Sequence, residues 1–386
     1  MPMSKPVLIF ASVSFLNEVS AQMVAPLIPI LLASVLAAGP IVLGLVEGLA
    51  DAVAAMLKLW AGRRADVKPQ QRKPMVVLGY ALAALSRPLI ALAGSWVAVA
   101  ALRSADRLGK GIRGAPRDAI LADATPADQR GQMYGLNRAM DYAGAVVGTL
   151  LAAAALSWTG LGITQVIALS AIPGVVVLIV LVLLPVPVRI ASAKASASAV
   201  RPPLSWHAVP PPLQRYLQVL ALFCFAKASE AFIILRGHEL GMQTVTLLLL
   251  WAWLAALQTL TAYLGAPLAD RMSKRSLTLF NWVTLAVSYA GLAMASTETG
   301  LWIAVSVYGL LSGISEGVER SLVSELAPEA EKGTSFGWYY MVTGIAAIPS
   351  GLLFGLLWSF GGPPLAFGTA AAVALMSAAW LKSRTL

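Results

Sequence analysis

Charged side chains are scarce in this sequence. Asp, Glu, Lys and Arg together make up 12% of its 386 residues, whereas they make up about 25% of an average soluble domain. Hydrophobic residues make up 58% of the chain, and the mean hydropathy is +0.77. A soluble protein of this length could not bury so much apolar side chain. The composition therefore predicts a protein that crosses a membrane several times.

Residues that bind metals or form covalent intermediates are also scarce. Cys224 is the only cysteine of the sequence, which excludes an intrachain disulfide and a thiolate metal site. The two histidines, His207 and His238, have no second ligand at a metal-binding spacing. The sequence contains no HExxH, GxSxG or P-loop motif. We therefore predict no metal, no cofactor and no catalytic residue, and a membrane-embedded enzyme is a weak alternative.

One run of glycines imitates a nucleotide-binding motif. Gly109, Gly111 and Gly114 spell G-x-G-x-x-G. No predicted strand precedes them, and no βαβ pattern surrounds them, so the dinucleotide interpretation fails. Small residues in a membrane helix instead predict a close approach of neighbouring helices.

Basic residues outnumber acidic ones, by 28 to 18. Nucleic-acid binding would explain such an excess, but the basic residues fall mainly in alternate short loops, such as GRRADVKPQQRK, DRMSKRS and the C-terminal KSRTL. The intervening loops AAGP, AGSW and SFGGPP contain no Lys or Arg. This distribution is the one that orients membrane proteins with basic loops inside. It predicts a bacterial cytoplasmic membrane protein with both termini in the cytoplasm, and no nucleic-acid partner.

The apolar runs predict an all-α membrane protein with twelve transmembrane helices. A bilayer core of about 30 Å requires about 20 helical residues for each span. The predicted spans lie near residues 7–32, 40–61, 74–94, 96–117, 132–156, 161–184, 214–236, 243–264, 276–296, 300–325, 334–358 and 362–381.

The spans divide into two similar halves. We predict an N-terminal half over residues 1–186, a cytoplasmic linker rich in Pro, Ala and Ser over 187–213, and a C-terminal half over 214–386. The segment DATPADQRGQMYG, from Asp123, matches ELAPEAEKGTSFG, from Glu325, at an offset of about 202 residues. Parallel six-helix repeats are typical of transporters whose binding site lies between the halves.

Several segments resemble motifs of the major facilitator superfamily. GAPLADRMSKR, after the eighth span, is similar to that family's cytoplasmic loop motif, and GRRADVKPQQRK is a longer copy. The run RLGKGIRGAPRDA resembles a branch of bacterial permeases that are assigned to efflux. GAVVGTLLAA, in the fifth span, is similar to an antiporter motif but has Thr149 in place of a proline. The resemblance extends over the whole chain, and it implies alternating access driven by a proton gradient.

The fourth span carries an unusual stripe of charges. Arg103, Asp106, Arg107, Lys110 and Arg113 recur at steps of three and four residues, which places them on one helix face. Each central charge costs roughly 2.5–3.5 kcal/mol when it inserts into a bilayer, so this face should meet protein or water. We predict that Arg103 and Arg107 hold an anionic part of the ligand or a coupling carboxylate.

Other charged residues at mid-membrane depth are candidates for substrate binding or coupling. Arg138 with Asp141, and Lys227 with Glu230, are expected to form pairs at i, i+3. Glu18 and Asp51 have no obvious base nearby in the sequence. Burial favours the protonated form of a carboxyl group, so these two are the candidate proton carriers. The candidate set is Glu18, Asp51, Arg103, Asp106, Arg107, Arg138, Asp141, Lys227 and Glu230.

Charged residues at the inner ends of the spans are candidates for a gate. By the family resemblance, Asp66 and Asp270 are expected to contact cationic groups or helix ends when the inner side is closed. The predicted gate set is Asp66, Arg72, Lys73, Arg113, Arg117, Asp118, Asp270, Arg271, Arg275 and Glu316.

These features predict a monomeric secondary transporter that exports a small organic compound in a proton-coupled cycle. An alternative is an importer that moves a small organic anion together with protons, which the basic excess of the fourth span favours. A channel is a further alternative, and buried ion pairs in a two-fold repeat argue against it.

Overall fold

The structure is a computed structural model that describes residues 5–123, 125, 130–183, 206, 209–312, 318–328 and 332–384, and the regular secondary structure of these residues is helical throughout. In the first half of the chain the α-helices are α1 (Lys5–Val24), α2 (Leu27–Ile30), α3 (Pro40–Val67), α4 (Arg72–Leu89), α5 (Trp96–Asp123), α6 (Arg130–Trp158), α7 (Ile163–Leu169) and α8 (Ala171–Leu183). In the second half they are α9 (Pro211–Cys224), α10 (Ala231–Glu239), α11 (Thr244–Arg271), α12 (Lys274–Met294), α13 (Glu298–Ser312), α14 (Val318–Leu326) and α15 (Lys332–Ser383).

Eight helical stretches in the described part are long and apolar enough to cross a membrane. They are Val7–Val35, Pro40–Gly62, Arg72–Leu92, Leu136–Trp158, Ile163–Leu183, Thr244–Ala262, Lys274–Met294 and Thr334–Ser383. The last contains two predicted spans, which a kink separates at Gly362, where φ is 68°. A positive φ of this size favours glycine. Nine of the predicted spans are therefore present as long apolar helices.

The other three predicted spans are the fourth, the seventh and the tenth. The fourth, α5, is one continuous helix but contains the charged stripe. The seventh was predicted as a continuous helix, and this prediction is wrong because residues 225–230, between α9 and α10, are not helical. The tenth consists of α13 and α14, and residues 313–317 between them lie outside the described part.

Contacts between helices divide the chain into two compact units. The first unit comprises residues 1–31 and 53–201, and the second comprises residues 32–52 and 202–386. Most of the predicted linker, 187–213, lies outside the described residues, and α9 already begins at Pro211. The proposed division into halves at 186 and 214 stays a prediction.

In the first unit, α4 packs against α5, α1 packs against α6, and α8 contacts both α1 and α4. Phe10, Tyr80 and Leu121 are among the buried side chains where α1, α4 and α5 meet. Gly79 of α4 and Gly109 of α5 allow these two helices to approach closely. A Cβ on Gly79 would lie 2.6 Å from the carbonyl oxygen of Gly109. The prediction that this glycine run serves helix packing agrees with that contact.

In the second unit, α15 packs against α9 and α12, and α13 packs against α11 and α12. Trp282 of α12 is fully buried and stacks on Phe223 of α9, with 4.1 Å between the ring centroids. The beginning of α3 belongs to this unit. Its Gly48 approaches α15 so closely that a Cβ there would lie 2.6 Å from the carbonyl oxygen of Ala347.

Candidate functional site

Asp106 lies at the centre of a buried ion network in the first unit. Its carboxylate contacts Nη1 of Arg103 on its own helix at 3.6 Å, which confirms the predicted proximity of these two residues. A shorter contact of 2.9 Å joins it to Nε of Arg87, at the end of α4. All three side chains are buried. The carboxylate of Asp106 is thus held between two guanidinium groups, one from its own helix α5 and one from α4.

Arg87 was not among the predicted site residues, although it is central to this network. Its side chain is 4% exposed. Besides Asp106, it donates from Nη1 to the backbone oxygen of Asn17 at 2.9 Å and to its side-chain Oδ1 at 3.1 Å. The sequence did contain a signal, since Arg87 is an isolated charge in an otherwise apolar span, and such residues are costly unless they have a function or a partner.

Arg113 joins the same network from the next turns of α5. It donates to the carbonyl oxygen of Gly79 at 3.2 Å and to Oδ1 of Asn17 at 3.5 Å. Its guanidinium also lies over the ring of Tyr80, 4.6 Å from the centroid. Arg113 was predicted as a gate residue. Its observed partners all belong to the first unit, and they attach α5 to α4 and α1.

Arg117 forms a second connection between helices. Its Nη1 donates to the hydroxyl of Ser14 at 3.0 Å, and this hydroxyl donates to Oδ1 of Asp141 at 2.5 Å. Arg117 also contacts its neighbour Asp118 at 3.1 Å. The predicted partner of Asp141, Arg138, is exposed and lies over the ring of Tyr142 at 5.6 Å. A chain of hydrogen bonds therefore links α5, α1 and α6.

Glu18 has basic neighbours that are distant from it in the sequence. Its carboxylate accepts a hydrogen bond from Gln22 at 2.9 Å. Lys110, Arg87 and Arg113 are the bases that act on this carboxylate electrostatically. The absence of an obvious base nearby in the sequence therefore does not extend to the fold, because α4 and α5 contact α1. Lys110 is exposed and Arg107 is half-buried, so the stripe has one side open to the surface.

Asp51 does not have the environment that was predicted for it. Its side chain is exposed, whereas Glu47, four residues earlier on α3, is 6% exposed. The argument from burial therefore does not apply to Asp51, because its side chain is not buried within the protein.

The second unit contains a break between α9 and α10. Its free backbone groups are satisfied by two side chains from other helices. The backbone N–H of Ala228 donates to the hydroxyl of Tyr289 at 3.1 Å, and the hydroxyl of Ser350 donates to the carbonyl oxygen of Cys224 at 2.8 Å. Non-helical backbone at membrane depth requires such partners. Broken helices of this kind often carry binding sites in transporters.

Lys227 extends from this break and pairs with Glu319. Its Nζ lies 2.8 Å from Oε2 of Glu319 on α14, which also accepts from the hydroxyl of Tyr339 on α15 at 3.1 Å. The predicted pair of Lys227 with Glu230 is wrong, because it required a continuous helix at this point. Glu319 was absent from the predicted set.

Glu230 has its own partners in the second unit. Its Oε1 accepts from Nε2 of Gln258 at 2.8 Å and from the hydroxyl of Tyr308 at 2.9 Å. These bonds attach the beginning of α10 to α11 and α13. Glu230 is therefore held by neutral donors, whereas Glu319 is held by a cation.

The internal repeat places Arg117 and Glu319, which each link elements within their own unit, at equivalent positions. The offset of 202 residues that matches Asp123 with Glu325 also matches Arg117 with Glu319. Arg117 contacts Ser14 of α1, and Glu319 contacts Lys227 in the break between α9 and α10. Both repeats therefore have a charged residue at this position, but the residue is basic in the first repeat and acidic in the second.

Some predicted gate residues have contacts at the helix ends. Arg72 pairs with Asp123 at 2.7 Å and donates to the backbone oxygen of Ala65 at 3.0 Å. Lys73 is half-buried in the first turn of α4. Arg275 donates to the carbonyl oxygens of Leu381, Lys382 and Arg384, at the end of α15. The side chains of Asp66, Asp270 and Arg271, and the whole of Glu316, lie outside the part that the structure describes.

Potential metal ligands do not cluster in the described residues. No three His, Cys, Asp or Glu side chains there lie close enough together to hold an ion. The buried charges instead form ion pairs and hydrogen bonds between helices.

Comparison with known proteins identifies the family. An uncharacterized MFS-type transporter of Methanocaldococcus jannaschii is 29% identical over 97% of this chain and 94% of its own length. The multidrug resistance protein MdtH of Photorhabdus laumondii is 35% identical, but over only 36% of each chain. The solved structure of a D-xylose-proton symporter covers 98% of this chain and 96% of its own, with a TM-score of 0.75 and 14% identity. The sequence model described as Major Facilitator Superfamily matches residues 10–351. The chain belongs to the Major Facilitator Superfamily.

Proposed function

We propose that this protein moves a small organic anion across the bacterial cytoplasmic membrane together with protons. It is a multi-pass membrane transporter with an alternating-access fold, and not an enzyme. The substrate class, the coupling to protons, the cytoplasmic termini and a monomeric state are proposals.

The charge balance of the network in the first unit carries the proposal. Five basic side chains, those of Arg87, Arg103, Arg107, Lys110 and Arg113, surround two acidic ones, Asp106 and Glu18. Arg87, Arg103 and Arg113 are buried, and positive charge in a low-dielectric environment is costly unless it is compensated. A bound anion would offset this cost, whereas a bound cation would increase it. The arrangement therefore favours a carboxylate or a similar anionic group on the substrate.

Proton coupling is supported by carboxylates that lie inside the helix bundles. Glu18 is half-buried among bases, and Glu319 is 6% exposed beside one base. A carboxyl group in such surroundings can change its protonation when an anion approaches or leaves. A D-xylose-proton symporter shares the fold, which is consistent with coupling but does not assign it.

A second candidate is export in exchange for protons. The partial similarity to the multidrug resistance protein MdtH favours it, and so does the segment GAVVGTLLAA in the fifth predicted span. A cycle in which anion and proton move together is reversible. It also allows export when the anion accumulates inside the cell. The two candidates differ in whether proton and substrate cross in the same direction.

Transport in membrane vesicles of both orientations tests the proposal. Benzoate and succinate serve as anionic probes and ethidium serves as a cationic one, with a pH-sensitive dye to follow protons. We expect benzoate or succinate to move protons in its own direction in both vesicle types, beyond the signal of vesicles without the protein. Proton movement opposite to the probe, or movement with ethidium alone, would favour the second candidate.

A further inference from the structure

We propose that Lys227 and Glu319 form the proton and anion exchange site, in which a substrate carboxylate replaces Glu319 on Lys227 when Glu319 takes up a proton. This inference rests on the proposed function and assigns its coupling step to a pair that lies outside the charged stripe of α5.

The two members of the pair differ in exposure. The side chain of Lys227 is 44% exposed, and that of Glu319 is 8% exposed. Lys227 has three N–H donors, and Glu319 is the carboxylate that it reaches in the described part of the chain. The accessible surface of Lys227 therefore offers a position for a second anion, while Glu319 remains covered behind it.

The position of Lys227 suits a transport site. It lies in the non-helical segment that separates α9, with 14 residues, from α10, with 9 residues. At 1.5 Å per residue these helices are about 21 Å and about 14 Å long, so the break lies near the middle of a bilayer core of about 30 Å. Because Tyr289 and Ser350 bind its backbone, the segment is held in place without using the Lys227 ammonium group.

The exchange balances in charge and in protons. In the free site, the ammonium of Lys227 and the carboxylate of Glu319 neutralise each other. When the substrate carboxylate binds, Glu319 receives one proton, and Lys227 now pairs with the substrate. The site is neutral in both states, so neither state leaves an uncompensated charge inside the membrane. One proton is bound with each anion.

The groups that surround Glu319 allow this step. Tyr339 donates to its carboxylate, and Tyr216 and Cys224 are the other titratable groups on which Glu319 acts electrostatically. Arg320, the next residue, is exposed and close to Tyr339. Lys227 is thus the cation in direct contact, and its release removes the contact that most favours the charged carboxylate.

Anion binding to purified protein tests the site directly. The stabilisation of the folded protein by benzoate or succinate is measured as a shift in melting temperature, in acidic and in alkaline buffer. For the wild type we expect stabilisation in acidic buffer, with the affinity falling about tenfold per pH unit in alkaline buffer, because one proton accompanies each anion.

Two variants distinguish an exchange site from a structural pair. Glu319→Gln imitates the protonated carboxyl, so it should bind the anion in both buffers and should exchange labelled benzoate without moving protons. Lys227→Met should bind in neither. Because Lys227→Met leaves Glu319 unpaired, the double variant Lys227→Met/Glu319→Gln restores neutrality and should fold but not bind. Glu239→Gln, at the end of α10 and away from the break, should keep the pH dependence of the wild type.

The outcomes separate this inference from the proposed function. If Lys227→Met/Glu319→Gln is folded and binds benzoate as the wild type does, the exchange site is refuted. If Glu319→Gln keeps the pH dependence of the wild type, the assignment of the proton is refuted. In both cases carboxylate-driven proton movement by wild-type vesicles would leave the proposed function intact. Absence of that movement for every anionic probe would refute the proposed function itself.

Discussion

Arg87 and Asp106 form an ion pair in which both side chains are buried, and Nε of Arg87 lies 2.9 Å from Oδ1 of Asp106. The two residues lie on neighbouring helices, and Arg87 also reaches across to the backbone of Asn17. The pair therefore fixes three helices relative to one another, and it supports the structure on which the rest of the charged stripe depends.

Removal of one partner should destabilise the protein strongly. Arg87→Ala leaves Asp106 with the longer contact to Arg103, and breaking a buried pair typically costs about 3–5 kcal/mol. We expect a clear fall in melting temperature in detergent. Arg87→Gln/Asp106→Asn, which removes both charges, should recover much of it, and Lys382→Ala, at an exposed position of α15, should change little.

Asp106→Asn separates a structural role from a role in coupling. Its two guanidinium contacts suggest a structural counter-ion, so we expect lower stability and an unchanged pH dependence of benzoate transport. A shift of the pH profile in vesicles would instead make Asp106 a coupling group.

Arg107 is expected to act on the substrate rather than on the fold. It is half-buried beside the exposed Lys110. Arg107→Ala should insert normally, because loss of a central charge eases insertion, and transport of benzoate should fall sharply. Arg107→Lys should restore part of it, since Lys lacks the planar fork that binds a carboxylate in two places. Wild-type transport and affinity in Arg107→Ala would show that the stripe is only packing.

Sequence patterns could predict the helices but not all of their partners. The apolar runs located most spans because each must be long enough to cross the bilayer. Arg103 and Asp106 were correctly placed together because they are one helical turn apart. Arg87, Glu319 and the bases near Glu18 come from other helices, and periodicity along one helix cannot reveal such neighbours.

The break at residues 225–230 is another feature that the sequence pattern could not predict. The segment FAKASE contains no Gly or Pro and would be compatible with a helix. The break is stabilised by Tyr289 and Ser350, which are 61 and 126 residues away in the sequence from the groups they bind. Local propensity therefore predicted the wrong structure where tertiary hydrogen bonds determine it.

The contact of α3 with α15 should not tolerate a side chain. A Cβ on Gly44 would overlap the carbonyl oxygen of Gly351, whereas a Cβ on Gly39 would meet nothing within 4 Å. Gly44→Ala should destabilise the protein by about 1–3 kcal/mol, as overpacking does. Gly39→Ala is the matched control, and equal melting temperatures for the two variants would contradict the contact.

The orientation in the membrane can be tested by labelling. Ser95 and Ser273 are both exposed, and the loop charges place Ser95 outside and Ser273 in the cytoplasm. In a Cys224→Ala background, an impermeant thiol reagent on intact cells should label Ser95→Cys and not Ser273→Cys. Ser273 caps α12, so its substitution should cost about 1 kcal/mol, and labelling in broken cells is the control for folding. The reverse pattern would invert the topology.

Arg117 and Glu319 occupy matching places in the repeat and carry opposite charges. If the two repeats descend from one duplicated ancestor, at least one of these positions has changed the sign of its charge since the duplication. Each charge has its own partners, Ser14 with Asp141 for Arg117 and Lys227 for Glu319. A chain built from two copies of either repeat would therefore carry the same charge at both positions and would lose one of these two sets of contacts.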